Sequence, residues 1–214
     1  MSRAIDLLYL LAEHEAGMSI TELARELSTQ RPPLYRIVGS LMERGLVHRT
    51  STGKYVLGAG LIELARPLER TLDELVAGPL QRAANASGAG AVLVLDTADG
   101  LVAAVSKSPE TVQMHLVTPV GHRFSEGPIA PRLAIDSVNH PERAELAEIR
   151  DRGYATSSGQ AFAGSWAAAF SVTLPDQYGV ACVMLATMHP EDEDRLITVG
   201  NAAVAEIAKF CGRA

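Results

Sequence analysis

The sequence predicts an α+β chain in three parts. Three short helices and a β-hairpin fill residues 1–59, a linker helix 60–76, and a sheet-and-helix domain 77–214. Three observations carry this expectation. The first sixty residues hold apolar patterns of helical period with explicit start and stop signals. An apolar series of the same period runs on from Leu61 to Val76. Beyond it, short continuous apolar runs such as AVLVL at 91–95 alternate with helical stretches, which packs strands and helices into one domain.

The first helix spans residues 3–14, with Ile5, Leu7, Leu8, Leu10 and Leu11 apolar and Gly17 closing it. The second opens on a capping box, Ser19 followed three residues on by Glu22, with Met18 and Leu23 at the positions of a hydrophobic staple. In the third, Leu34, Ile37, Val38 and Leu41 follow i, i+3, i+4, i+7 and are expected in the core. Tyr35, Arg36, Gly39, Ser40 and Glu43 then fall on its other faces, and Gly45 stops it. Residues 46–49 and 54–57 read as a hairpin around Thr50-Ser51-Thr52-Gly53. Three helices and a hairpin in this order make a winged helix-turn-helix, whose third helix enters the DNA major groove while the hairpin flanks it.

The third helix is preceded by two prolines, Pro32 and Pro33. Each disfavours the α region for the residue before it, so Arg31 and Pro32 are expected to be extended and the helix to begin near Pro33. One reading makes the pair a stiff turn between packed helices; the other makes it a rigid tip aiming Arg31 at DNA.

The net charge of −6 argues by itself against nucleic acid. The charge is uneven, however. Residues 1–60 hold 7 Lys/Arg and 6 Asp/Glu. Within 31–54, Arg31, Arg36, Arg44, Arg49 and Lys54 face Glu43 alone. A basic stripe on a helix-turn-helix is what phosphate contact needs, so Arg31, Tyr35, Arg36 and Lys54 are candidate DNA contacts.

With 47% hydrophobic residues the chain can build a core, and no apolar run is long enough to span a membrane. The opening MSRAIDLLYLLAEHEAG carries Asp6 and Glu13 in a helical pattern, so it is expected to be a helix and not a leader. Cys182 and Cys211 sit in apolar surroundings, which fits a reducing cytoplasm without disulfides.

Past the linker, Asp99-Gly100 signals a turn between strands 91–95 and 101–105. A further strand is expected at 112–117, a helix at 142–152, a hairpin of 167–174 with 180–187, and a long helix over 191–211 with acidic residues in its first turn. The helices are expected on one side of the sheet.

An enzymatic reading finds little. The six histidines show no zinc spacing, Cys182 has no basic neighbour in sequence, and no nucleophile elbow or phosphate loop is present. His115 and His122 flank a Pro119–Gly121 turn and could converge on a ligand, but surface histidines with ordinary partners are the favoured reading. No enzyme activity, metal or cofactor is expected.

The segments RAIDLLYLLAEHEAGMSITELAREL, LYRIVGSLMERGLVHR and GKYVLGAGLIELA together resemble the IclR-type family of bacterial transcriptional regulators. The likeness runs through residues 3–66. It implies a dimer or dimer of dimers that binds operator DNA and responds to a small molecule. It places DNA contacts at Ser19, Thr21, Arg31, Pro32, Pro33, Tyr35, Arg36, Ser40, Arg49 and Lys54. Pro32 and Pro33 depart from the pattern, which has small hydroxylated residues there.

The rest resembles, more weakly, the family's GAF-like effector-binding domain, chiefly at IRDRGYATSSGQ and Gly164. That likeness places effector contacts at Pro128, Ile129, Leu133, Ser157, Trp166, Ala167, Met184 and Ala186. Ala130-Pro131 replaces a Gly-Lys pair, Gln160 a glutamate, and Ala167 a small polar residue or cysteine. A carboxylate buried without donors is costly, so the expected effector is apolar or aromatic. The alternative is a DNA-binding dimer whose second domain only holds the oligomer together. The bland reading of Ala167, Met184 and Ala186 as plain sheet core stays open beside both.

Overall fold

A computed structural model describes residues 2–112, 115–160, 163–175, 177–188 and 193–212. The chain divides into two compact units, Met1–Leu68 and Glu69–Ala214.

In the first unit, α1 (Ser2–Ala12), α2 (Ile20–Glu26) and α3 (Arg31–Glu43) precede a hairpin of β1 (Val47–Arg49) and β2 (Tyr55–Leu57). Leu7, Leu11, Leu23, Leu34, Val38 and Leu41 form its core with Val47 and Tyr55. Each such side chain contributes roughly 1.5–3 kcal/mol by leaving water. The capping box closes on both sides. Glu22 N–H donates to Ser19 Oγ at 3.3 Å, and Ser19 N–H to Glu22 Oε2 at 2.7 Å. Met18 and Tyr55 exchange backbone hydrogen bonds of 2.9 and 2.7 Å, which ties the start of α2 to the hairpin.

Helix α3 begins earlier than expected. Gln30 is the extended N-cap (φ −82°, ψ 152°), and Arg31, Pro32 and Pro33 already lie within the helix. The reason is hydrogen-bond supply. The first N–H groups of a helix have no intrahelical acceptor, so two prolines there cost no bond. The disfavoured conformation of a residue before proline is a preference that this helix overrides.

Helix α4 (Gly60–Ser87) runs past both Pro67 and Pro79. In the second unit, β3 (Gly90–Thr97), β4 (Gly100–Lys107), β5 (Tyr154–Ser158), β6 (Trp166–Thr173) and β7 (Val180–Thr187) form an antiparallel sheet in the order β4-β3-β7-β6-β5. Between β4 and β5 come α5 (Ala130–Asn139), a 3-10 turn (Ala144–Leu146) and α6 (Ala147–Arg152). Helix α7 (Glu193–Cys211) follows β7.

Helices cover both sheet faces, not one. Leu72, Val76 and Leu80 of α4 and Leu196, Ala203 and Ile207 of α7 pack on one side with Leu93, Phe170 and Leu185. Ala130, Ala134 and Ile135 of α5 pack on the other with Val92, Ala169 and Cys182. The unbroken apolar runs of β3 and β7 explain this, since a strand without polar alternation must be covered twice. Gly200 sets the approach of α7. A Cβ there would stand 2.0 Å from the Phe170 ring, so only glycine permits this packing.

Two expected elements differ. The helix at 142–152 is split into the 3-10 turn and α6. The expected strand at 112–117 is irregular at 112 and 115–117, while 113 and 114 lie outside the described residues. Residues 121–124 take the edge of β4 instead. Gly121 N–H donates to Ala103 O at 2.8 Å, Ala103 N–H to His122 O at 2.9 Å, and Phe124 N–H to Leu101 O at 3.1 Å. An edge strand left bare invites mispairing, and this segment covers it. Residue 176 and residues 189–192, which include the first two of the helix expected at 191–211, also lie outside the described residues.

Candidate nucleic-acid interface and ligand cavity

The outward side of α3 follows from its buried side. With Leu34, Val38 and Leu41 turned inward, Arg31, Pro32, Pro33, Tyr35, Arg36 and Ser40 are exposed. Tyr35 keeps 53% of its surface accessible. Ser40 Oγ donates to Arg36 O at 3.1 Å, so its hydroxyl is partly occupied by its own helix.

The hairpin adds cations. Arg49 is exposed, its guanidinium 5.8 Å from the Tyr55 ring centroid. The Lys54 backbone is held by Thr50, whose Oγ1 accepts the Lys54 N–H at 3.1 Å. Thr21 is exposed at the start of α2. The Ser19 hydroxyl is engaged in the capping box, which leaves it less free for a phosphate than expected. The Glu22 carboxyl is held below the usual carboxylate range, first by the Ser19 backbone N–H, then by the Ser19 hydroxyl, with Lys54 and Arg25 adding positive field. Lys54 thus stands near an anion of its own chain.

The second unit holds a cavity of about 340 Å³, within the range of small-molecule sites. One wall is sheet. Ser157, Ala167 and Ala186 form a cross-strand row over β5, β6 and β7, with Met184 two residues along β7 on the same face. Ile129 and Pro131, at the start of α5, close one side. The other wall is the irregular segment 116–125, contributing Thr118, His122, Arg123, Phe124 and Ser125 among others.

Six of the eight expected effector residues border this space: Ile129, Ser157, Trp166, Ala167, Met184 and Ala186. Trp166 does so from the end of β6, while its side chain is 6% exposed and belongs to the core on the α4–α7 side. Pro128 and Leu133 are not brought there. Pro128 is exposed just before α5, and Leu133 packs against the sheet-side core.

His122 and Arg123 stand at the rim of the cavity, and Arg123 donates to the Asp99 carbonyl. Sequence reasoning noticed His122 through its turn but missed Arg123, because a loop has no period to follow. The His122 and Phe124 rings meet edge to face at 5.0 Å, which stiffens this wall. Cys182 is fully buried and its thiol is pushed up by desolvation, the opposite of a reactive cysteine.

Residues 1–51 match the IclR helix-turn-helix domain. No curated protein matches the sequence. Among solved structures, the chain is similar to an IclR transcriptional regulator from Alicyclobacillus acidocaldarius, at 22% identity and TM-score 0.82, with 99% of this chain and 98% of that one covered. It is similar to an IclR homolog complexed with 4-hydroxybenzoate from Microbacterium hydrocarbonoxydans, at 16% identity and TM-score 0.82, with the same coverage. The Thermotoga maritima IclR matches at 20% identity and TM-score 0.68, over 99% and 98% of the two chains. The matched domain and these structures belong to transcriptional regulators, not enzymes. The chain therefore carries an IclR-type helix-turn-helix domain and has, along its length, the fold of IclR-type transcriptional regulators.

Proposed function

We propose that this protein is a cytoplasmic transcriptional regulator that binds operator DNA as a dimer or dimer of dimers and answers to a small aromatic or apolar effector. Exposed Arg31 and Arg36 on α3 and exposed Arg49 on the hairpin, all inside the segment matching a helix-turn-helix domain, carry the DNA reading. Pairing is supported by exposed apolar side chains at the start of α4. Ile62 and Leu64 are each 67% exposed and Leu68 46%, a poor use of surface for a lone chain.

The effector reading rests on the cavity, whose sheet wall is apolar apart from Ser157 and whose loop wall adds Thr118, His122, Arg123 and Ser125 to its apolar groups. An aromatic acid suits that division, ring against Ala167, Met184 and Ala186, carboxylate towards the loop. The 4-hydroxybenzoate held by the related structure supports this class. A ligand would shift the regulator between states only by its difference in affinity for them.

A second reading keeps the unit as an oligomerisation module, favoured by the place of Met184 and Ala186 in the sheet core. Thermal melting against a panel of hydroxybenzoates and phenols, followed by DNA binding with any hit, separates the two. Saturable stabilisation with altered DNA affinity supports the effector; silence across the panel supports the module. Among the described residues, no helix is long and apolar enough to cross a membrane.

A further inference from the structure

We propose that α3 reads thymine methyl groups in the major groove with the rings of Pro32, Pro33 and Tyr35, so that the preferred half-site presents thymines beneath the helix tip. This inference rests on the DNA-binding reading above.

In the major groove only thymine offers a methyl group; the other base edges are read by hydrogen bonds. The tip of α3 is poorly equipped for hydrogen bonding. Pro32 and Pro33 sit in its first turn without hydroxyl, amide or backbone N–H, and no side chain caps the helix. Both rings are exposed, and Tyr35 adds a third. Apolar rings held in water gain by covering a methyl, as they cannot gain by covering an amine or carbonyl.

A second observation comes from Gly39. It lies inside α3, where glycine weakens a helix relative to alanine. Among the described residues, no heavy atom beyond its own stretch of helix stands within 4 Å of where its Cβ would be, so no packed neighbour there requires glycine. Pro32, Tyr35, Arg36 and Gly39 follow i, i+3, i+4, i+7 and share one stripe, opposite the buried Leu34, Val38 and Leu41. A bare position on that stripe lets the helix backbone approach a groove floor closely. Arg36 in the same stripe, with exposed Arg31 on the same helix and exposed Arg49 on the hairpin, supplies charge for phosphates.

The test selects duplexes from a random-sequence pool with the full-length protein, then replaces each thymidine of the selected site by deoxyuridine. The exchange removes the methyl and keeps both hydrogen-bonding edges. At one or two positions per half-site, uridine is expected to weaken binding about four-fold per methyl lost. The Pro32→Ser/Pro33→Ser variant is expected to lose that discrimination at the positions the proline rings cover. Indifference to uridine throughout overturns the inference, as does discrimination unchanged in the double variant. The uridine comparison needs no variant and stands even if that protein fails to fold. If no duplex is enriched at all, the DNA-binding reading fails and takes this inference with it.

Discussion

The outward stripe of α3 and the cavity of the second unit place their candidate recognition groups on different kinds of backbone. On α3 the groups project from a regular helix, whose buried face of Leu34, Val38 and Leu41 dictates what must face out. The cavity takes one wall, mostly apolar, from three paired strands and the other, with polar and apolar groups mixed, from the irregular segment 116–125. A site on a periodic element inherits its geometry from the core. A site shared with a loop gets half of its chemistry from backbone that no core pattern constrains. The first should tolerate little change of register, and the second can change ligand by changing a loop.

That contrast can be broken at several points. The largest effect is expected from the sheet that backs the cavity. Phe170 is fully buried and seated against Gly200, so Phe170→Ala should cost about 3–5 kcal/mol in urea unfolding. A cost near zero would mean that α7 does not pack as described. Next, Arg36→Ala should weaken binding to a selected duplex by about 1–3 kcal/mol in anisotropy titrations. A loss confined to one base position marks direct reading, and an equal loss on all sequences marks a phosphate contact.

Ala167→Leu comes third. It pushes a larger side chain into the cavity from the middle of the Ser157–Ala167–Ala186 row. Affinity for an aromatic acid that stabilises the wild type should fall by about tenfold, roughly 1.4 kcal/mol, with DNA binding by the free protein unchanged. Unaltered ligand stabilisation would move the effector elsewhere.

The smallest effect concerns the capping box. Ser19→Ala should cost about 1 kcal/mol of N-terminal stability. Glu22 gives the cap a pH dependence of known sign. Its carboxyl is lowered by hydrogen bonds from Ser19, so its contribution is full above the ordinary glutamate range and is lost as pH falls through the lowered value. The stability gap between wild type and Glu22→Ala should therefore be present near neutrality and close in acid. A gap that widens in acid would contradict the hydrogen bonding.

What could be read in the sequence follows the same division. The capping box, the inward face of α3, the hairpin and the apolar strands were legible because each repeats at a fixed spacing or carries a local signal. The start of α3 is not legible from dipeptide preference alone, because the spare N–H groups of a helix end admit both prolines into its first turn. The second layer of helices was missed although β3 and β7 lack polar alternation, a pattern that already asks for cover on both faces. Ala167, Met184 and Ala186, named by the likeness, lie on strands whose apolar runs were legible, whereas the positions of Arg123 and Thr118 follow from an irregular segment, 121–124 of which bonds to β4. Leu133 was assigned to the cavity by likeness, but α5 turns it towards the core.

The account depends most on α3 and its hairpin holding duplex DNA through charge. The direct measurement is the affinity of the full-length protein for its best selected duplex across a range of salt concentrations. The logarithm of the association constant should fall linearly with the logarithm of salt, by roughly 0.9 for each phosphate neutralised, and Arg49→Ala should flatten the slope by about one such step. An affinity that ignores salt, or no measurable affinity for any duplex, would contradict it.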